Sequence, residues 1–179
     1  MGLFTFVVMQ SNLIFLIGFM GVGKTTIGKR LANKLNIPFI DLDQEIEKKF
    51  QISINEFFAK YGEQAFRTEE TKMLKFIISE SEQAIISVGG GLPCYNENIQ
   101  RMNVAGKTLY LQRPAKELYN RLVNSKADRP LLNDLKGDEL LRFIEDKLLV
   151  REGFYNQAQI KLTRDQQEIS EIVELLKSS

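Results

Sequence analysis

One glycine-rich segment constrains the fold of this chain more than any other. Residues 18–25, GFMGVGKT, match the pattern G-x-x-x-x-G-K-[ST]; an apolar run at 13–17 precedes them, and apolar residues at helical spacing follow at 27–35. A strand, a glycine-rich turn and a helix in this order are typical of a phosphate-binding loop. The glycines let successive N–H groups point at phosphate oxygens, and the positive end of the helix adds to the attraction.

This loop predicts a site for ATP and Mg²⁺. Lys24 would reach the β- and γ-phosphates, and the hydroxyl of Thr25 would ligate the metal. The alternative is a strand-to-helix turn that matches by chance, and the flanking strand and helix argue against it. The predicted nucleotide contacts in the loop are Gly21, Val22, Gly23, Lys24, Thr25 and Thr26.

Composition excludes several other functions. The 179 residues suit a single domain, 1–179, with a net charge of +1 and dispersed basic residues, so we expect no nucleic-acid partner. There is no histidine, which excludes a histidine triad, a histidine metal site and a histidine base. The single cysteine, Cys94, cannot form an internal disulfide, which fits the cytoplasm, where we expect the protein to act.

The first 23 residues carry no charged side chain, so a signal peptide or membrane anchor has to be considered. Residues 10–12, QSN, interrupt the apolar run, no basic residues precede it, and its second half is the strand of the phosphate loop. We therefore expect no membrane partner. Residues 1–11 form an uncertain extension: an edge strand, a disordered tail, or a misplaced start with Met9 as the alternative initiator.

Strands and helices alternate along the chain, which predicts an α/β fold of βαβ units with a parallel sheet. A capping box at Ser53 and Glu56 predicts a helix start at Ile54, and Gly62 should break that helix. The predicted strands are 13–17, 39–40, 84–88, 108–111 and 160–162; the predicted helices are 27–35, 44–50, 54–61, 66–78, 96–104, 115–123, one from 138, and 165–176. In such sheets the ligand crevice lies at the carboxyl ends of the strands.

Two carboxylates, Asp41 and Asp43, follow the second predicted strand. While the chain stays extended they point in opposite directions, so one can face the magnesium through water and the other the phosphate acceptor. The alternative for Asp43 is a helix cap before Gln44. Ser87 follows the third strand and offers a weaker, water-mediated metal contact, and the glycines at 89–91 let a ligand approach the backbone. A flexible turn without ligand is the alternative there.

Two arginines are candidates for binding an anionic acceptor. Arg67 precedes Glu70 by three residues, a helical spacing at which the carboxylate would orient the guanidinium if the pair lies in the crevice. Exposed on the surface, the same pair would stabilise the helix only slightly. Arg151 extends the apolar stripe of its helix and should face inward, where it needs an anionic partner. That partner is either a ligand or a structural carboxylate.

The polar segment at about 124–137 lacks clear periodicity and contains Arg129. It suggests a mobile lid that closes over the nucleotide, excludes water and brings an arginine to the transferring phosphoryl group. The alternative is a solvated loop.

Together these motifs resemble the shikimate kinase family. The resemblance runs from about residue 12 to the end and rests on six segments in order: 18–25, DLD at 41–43, GEQAFR at 62–67, SVGGG at 87–91, RPLL at 129–132 and REGFY at 151–155. It implies a three-layer α/β/α P-loop kinase with a five-stranded parallel sheet in the order 2-3-1-4-5. It also implies transfer of the γ-phosphoryl group of ATP to the 3-hydroxyl of shikimate, in aromatic amino-acid biosynthesis.

The resemblance further implies roles for individual residues. Asp43 would bind the acceptor hydroxyl and accept its proton, Arg67 and Arg151 would bind the carboxylate of shikimate, and Gly89, Gly90 and Gly91 would contact its ring. Thr25, with Asp41 and Ser87 through water, would serve Mg²⁺; Lys24 and Arg129 would act in catalysis; Arg121, Arg129 and Arg164 would contact the nucleotide.

Two alternatives remain open at the level of sequence. One is a kinase for another small polyol acid such as gluconate, and the other is a catalytically silent nucleotide-binding regulator. Loss of Lys24, of Asp43 or of one of the arginines would favour the regulator, and none of them is lost. We expect a monomer.

Overall fold

A computed structural model describes residues 12–124 and 135–178 of the chain. Its strands are β1 (Asn12–Ile17), β2 (Phe39–Asp41), β3 (Gln83–Ser87), β4 (Gly106–Leu111) and β5 (Ile160–Leu162). Its α-helices are α1 (Lys24–Leu35), α2 (Leu42–Phe50), α3 (Ile54–Glu80), α4 (Asn98–Ala105), α5 (Ala115–Val123), α6 (Gly137–Tyr155) and α7 (Ile169–Ser178).

The five strands form one parallel sheet in the order β2-β3-β1-β4-β5, which confirms the expected topology. Alternate side chains of the central strand β1 enter two separate cores. Leu13 and Phe15 pack on one face with α2, α3 and α4, whereas Ile14 and Leu16 pack on the other with α1, α5 and α7. The fold is therefore a three-layer α/β/α sandwich.

The local signals around α3 behave as predicted. The Ser53 hydroxyl accepts a hydrogen bond from the Glu56 amide at 3.2 Å, and the Glu56 carboxylate accepts one from the Ser53 amide at 2.8 Å. Gly62 interrupts α3 with φ 79° and ψ 169°, a conformation that side chains other than glycine rarely adopt. The helix therefore consists of two segments joined at Gly62.

Several predicted boundaries were wrong. Helix α2 begins at Leu42, directly after β2, so Asp43 lies in its first turn and is not the residue that caps it. Helix α4 begins at Asn98 because Asn96 and Glu97 have φ of 51° and 55° and cannot continue a right-handed helix. The final helix begins at Ile169, after a separate 3₁₀ turn at Arg164–Gln166.

No helix in the described ranges, 12–124 and 135–178, has both the length and the apolar character needed to cross a membrane.

Candidate active site

A cavity of about 790 Å³ opens at the carboxyl ends of the strands. Most of the site residues predicted from the sequence line this cavity. From the phosphate loop, the strand ends and the surrounding helices, its lining includes Gly21, Gly23, Lys24, Thr25, Thr26, Asp41, Asp43, Arg67, Ser87, Gly89, Gly90, Gly91, Arg121 and Arg151. Sequence analysis did not assign a role to Met20, Glu47, Asn55 or Phe58, which also line it.

The phosphate loop connects β1 to α1 and ends at Gly23, the residue before the helix, with φ 108°. The side chain of Val22 is buried in the core and anchors the loop. Lys24 Nζ donates hydrogen bonds to the carbonyl oxygens of Gly18 at 2.8 Å and Phe19 at 3.1 Å, so its side chain folds back across the loop. The ammonium group therefore lies at the mouth of the ring of loop amides.

Three hydroxyl and carboxylate side chains meet at one corner of the cavity. Thr25 Oγ1 donates a hydrogen bond to Asp41 Oδ2 at 3.0 Å, and Asp41 pairs with Ser87 across β2 and β3. These hard oxygen donors suit Mg²⁺, which keeps several waters and binds through few protein groups. The described residues contain no group of three or more carboxylates or thiols able to hold a metal.

Asp43 faces the centre of the cavity with an unusual charge environment. Its Oδ1 is buried and has no hydrogen-bond partner among the described residues. Burial, reinforced by the nearby charge of Asp41, raises the pKa of Asp43 to about 6, and Lys24 opposes the shift. A carboxylate with a pKa near neutrality and a vacant acceptor oxygen is suited to accept a proton from an alcohol.

Arg67 is buried, so the exposed-pair alternative for this residue is wrong. Its guanidinium donates to Glu70 Oε2 at 2.5 Å and to Glu63 Oε1 at 3.0 Å, and it lies 4.8 Å from the ring centre of Tyr95. Although burial lowers the pKa of Arg67, Glu70 and Glu63 raise it above its usual value. The guanidinium is therefore a fixed cation beside the cavity.

Glu70 is almost fully buried, and its second oxygen, Oε1, has no hydrogen-bond partner among the described residues. Burial raises the pKa of Glu70 to about 7, although the neighbouring Arg67 lowers it. Glu63 and Tyr95 were not assigned a role from sequence. The i, i+4 spacing of Glu63 and Arg67 was the signal that could have identified Glu63.

The glycine triplet at 89–91 lies directly against the charged residues. A β-carbon on Gly89 would be 2.6 Å from Glu70 Oε1 and 3.0 Å from Asp43 Oδ1. One on Gly91 would be 2.8 Å from the Arg67 guanidinium. The absence of side chains therefore lets the charged groups and the backbone share one surface of the cavity.

Arg151 emerges from α6 into the cavity, as its helical position predicted. Its guanidinium lies over the Phe19 ring, 5.5 Å from the ring centre, and forms no salt bridge within the described parts of the chain. A carboxylate-bearing ligand would satisfy this charge, and the structural ion pair considered from sequence is not present there.

The remaining arginines occupy different places. Arg121 Nε donates to the carbonyl oxygen of Gly21 at 2.8 Å and lines the nucleotide end of the cavity. Arg164 is largely exposed, binds Glu117 at 3.1 Å and does not line the cavity as described. Arg129 and the central part of the predicted lid, 125–134, lie outside the described residues.

The sequence matches the family model described as shikimate kinase over residues 20–178. This chain belongs to the shikimate kinase family. A relative from Azobacteroides pseudotrichonymphae genomovar. CFP2, named shikimate kinase, is 45% identical over 91% of this chain and 96% of its own. A second relative of that name, from Bacteroides thetaiotaomicron, is 46% identical over 87% and 88%.

Solved structures of the family have the same architecture. The shikimate kinase from Bacteroides thetaiotaomicron superposes with a TM-score of 0.87 at 42% identity, covering 92% of this chain and 98% of that one. The enzyme from Acinetobacter baumannii, solved in complex with shikimate, gives 0.82 at 32% identity over 93% of each chain. A gluconokinase from Sinorhizobium meliloti gives 0.54 at 13% identity, covering 94% of this chain and 95% of that one, which shows likeness of fold alone.

Proposed function

We propose that this chain transfers the γ-phosphoryl group of ATP to the 3-hydroxyl of shikimate, yielding shikimate 3-phosphate and ADP. The observation that carries the proposal is the arrangement opposite the phosphate loop. There Asp43 offers an unpaired carboxylate oxygen, and the guanidinium groups of Arg67 and Arg151 line the same cavity. An acceptor with one carboxylate and neighbouring hydroxyls matches that set of charges, and membership of the family supports shikimate as this acceptor.

In this mechanism Asp43 binds the 3-hydroxyl and takes up its proton as the oxygen attacks the γ-phosphorus. A bond forms between that oxygen and phosphorus, the bond from phosphorus to the β-phosphate oxygen breaks, and ADP leaves. Lys24 neutralises charge on the β- and γ-phosphates, and the loop amides orient them. Catalysis depends mainly on alignment, because phosphoryl transfer requires little covalent chemistry from the protein.

Thr25, with Asp41 and Ser87 through water, would hold Mg²⁺ in this mechanism. When bound, the metal supplies neutralising charge to the phosphates. The carboxylate of Asp41 accepts a hydrogen bond from the Thr25 hydroxyl, which leaves the lone pairs of that hydroxyl available to the metal. Arg121 would pack beside the adenine with Arg164, and Arg129 would reach the phosphates from the lid.

The carboxylate of shikimate would lie between Arg67 and Arg151. Charge-assisted contacts of this kind are stronger and more directional than neutral hydrogen bonds. Glu63 and Glu70 hold Arg67 in a fixed orientation, so little freedom is lost when the acceptor binds. The glycine triplet would contact the ring through its backbone.

We further propose that the chain is one kinase domain that acts as a monomer in the cytoplasm. All of the proposed acceptor contacts come from a single chain, so no partner copy is needed to complete the site. Light scattering of the purified protein at micromolar concentration tests whether it is a monomer. A stable dimer would contradict this part of the proposal.

The deciding experiment is ADP release from Mg·ATP with shikimate, gluconate or a nucleoside monophosphate as the acceptor. We expect release with shikimate only, and the product should show phosphorus coupling to the hydrogen on carbon 3. ADP formation with gluconate would support the other polyol-acid kinase. ATP binding without turnover on any acceptor would support the silent regulator.

A further inference from the structure

A buried tyrosine connects the two halves of the acceptor site. Tyr155 is fully buried at the end of α6, and its hydroxyl donates a hydrogen bond to the carbonyl oxygen of Gly90 at 2.5 Å. Sixty-five positions of sequence separate these two residues. We propose that Tyr155 is a positioning residue that orients the glycine triplet for the acceptor, an inference that rests on the function proposed above.

The hydrogen bond from Tyr155 fixes the orientation of the peptide between Gly90 and Gly91. A trans peptide is planar, so its carbonyl and its N–H point in opposite directions. Tyr155 holds the carbonyl toward the protein interior, so the N–H of Gly91 must point away from the interior, toward the cavity that Gly91 lines. No described residue accepts a hydrogen bond from that amide.

The glycine triplet needs such a restraint. Glycine has no side chain to limit its backbone angles, and three in a row make a segment that can rotate its peptides at little cost. The amide of Gly91 can contribute to binding only if its direction is set before the acceptor arrives, since ordering it afterwards would cost affinity. The hydroxyl of Tyr155 supplies that restraint from outside the segment.

Tyr155 is also linked to Arg151. The two residues are four apart on α6 and so lie on the same face of the helix. The Arg151 guanidinium also approaches the triplet, with Nη1 3.6 Å from the position of a β-carbon on Gly90. The Tyr155 hydroxyl therefore joins α6 to the glycine triplet, and a side-chain hydrogen bond between Tyr155 and Arg151 connects the guanidinium to the same hydroxyl.

A buried tyrosine hydroxyl generally finds some partner, so a purely structural role is the competing explanation. Tyr110 provides a matched control. Its ring packs against that of Tyr155 with centres 5.0 Å apart, its side chain is also buried, and its hydroxyl forms no hydrogen bond with the described residues. Tyr110→Phe removes a hydroxyl from the same aromatic pair without touching the glycine segment.

The kinetic test compares Tyr155→Phe with Tyr110→Phe. For Tyr155→Phe we expect the KM for shikimate to rise roughly tenfold, with kcat and the KM for ATP within about twofold of wild type. Tyr110→Phe should leave all three unchanged. A shikimate KM at the wild-type value, or an equal rise in both KM values, would overturn the proposal.

A second measurement is independent of turnover and of shikimate. In protein labelled with ¹⁵N at glycine, the amide resonance of Gly91 should shift in Tyr155→Phe and not in Tyr110→Phe. In the wild-type chain the hydroxyl proton of Tyr155 should exchange slowly enough to give its own signal. An unmoved Gly91 resonance or a rapidly exchanging hydroxyl contradicts the role of Tyr155, whereas absent shikimate turnover with these signals intact contradicts only the proposed function.

Discussion

Gly89 and Asp43 are in such close contact that residue 89 has no room for a side chain. A β-carbon there would lie 3.0 Å from Asp43 Oδ1 and 2.6 Å from Glu70 Oε1. Both are buried carboxylate oxygens without a hydrogen-bond partner in the described structure. The contact places the strand end of β3 against the first turn of α2 and sets the position of the proposed proton acceptor.

We therefore expect Gly89→Ala to displace the Asp43 carboxylate. Turnover of shikimate should fall by at least about tenfold, because the new methyl group requires a movement of several tenths of an ångström at the reacting oxygen. ATP binding, measured by calorimetry, should remain close to wild type. Gly153→Ala is the matched control, since nothing lies within 4 Å of a β-carbon at that position. Equal activity of the two variants would contradict the argument.

Asp43→Asn should lower kcat by about 10²–10⁴-fold while leaving ATP affinity unchanged, because the amide cannot accept the proton of the acceptor. In the wild-type enzyme kcat/KM should increase as the pH rises through about 6, where Asp43 becomes ionised. This rise should be absent from the residual activity of the variant. Near-normal turnover of Asp43→Asn would exclude Asp43 as the proton acceptor.

Asp43→Asn should also stabilise the folded protein at a pH above 7. The pKa of Asp43 in the folded state, about 6, exceeds the usual value of 3.8 for an aspartate, so folding favours the protonated form. Ionisation of Asp43 consequently lowers the free energy of unfolding. This loss of stability grows between pH 4 and pH 6 and reaches its full size above pH 6. We expect Asp43→Asn to be roughly 1–3 kcal/mol more stable than wild type at pH 8 and indistinguishable from it at pH 3.5. Urea denaturation at the two pH values measures the difference, and a pH-independent difference would refute the assignment.

Arg151→Ala should weaken the binding of the acceptor and leave the binding of the nucleotide unchanged. Loss of a charged contact is expected to cost about 2–4 kcal/mol of shikimate binding, seen as a higher KM for shikimate and an unchanged KM for ATP. Arg142→Ala removes the same charge from an exposed position of α6 and should have no such effect. An unchanged shikimate KM in Arg151→Ala would show that the guanidinium does not bind the acceptor.

Asp41→Asn should raise the Mg²⁺ concentration needed for half-maximal activity by about 10–100-fold. The carboxylate accepts the hydrogen bond of Thr25 and so orients the hydroxyl proposed as a metal ligand. Titration of activity with Mg²⁺ at saturating ATP measures the effect. Asp146→Asn changes an exposed carboxylate of α6 and should titrate like wild type. Identical Mg²⁺ titration curves for both variants would show that Asp41 does not contribute to the metal site.

Sequence reasoning identified the elements whose signals act over a few residues. The phosphate loop, the capping box at Ser53 and Glu56, and the break at Gly62 all depend on contacts between near neighbours, and the structure has each of them. The predicted starts were wrong for helices that closely follow another element, as at Leu42 after β2 and at Ile169 after the 3₁₀ turn. There the preceding strand or 3₁₀ turn, rather than a capping residue, decides where the helix begins.

By itself, then, the sequence determined the nucleotide end of the site, because the loop that cradles phosphate is built from consecutive residues. The sequence also predicted Asp43, Arg67 and Arg151 for the acceptor end, but only the tertiary structure decided which contacts and charges these residues have there. Asp43 has an unpaired carboxylate oxygen and a pKa of about 6. These properties, the contact of Asp43 with Gly89 and the hydrogen bond from Tyr155 to Gly90 depend on residues that are far apart in the chain. Burial and charge at these positions are sums over neighbours from several strands and helices, and those neighbours are set by packing rather than by spacing along the sequence.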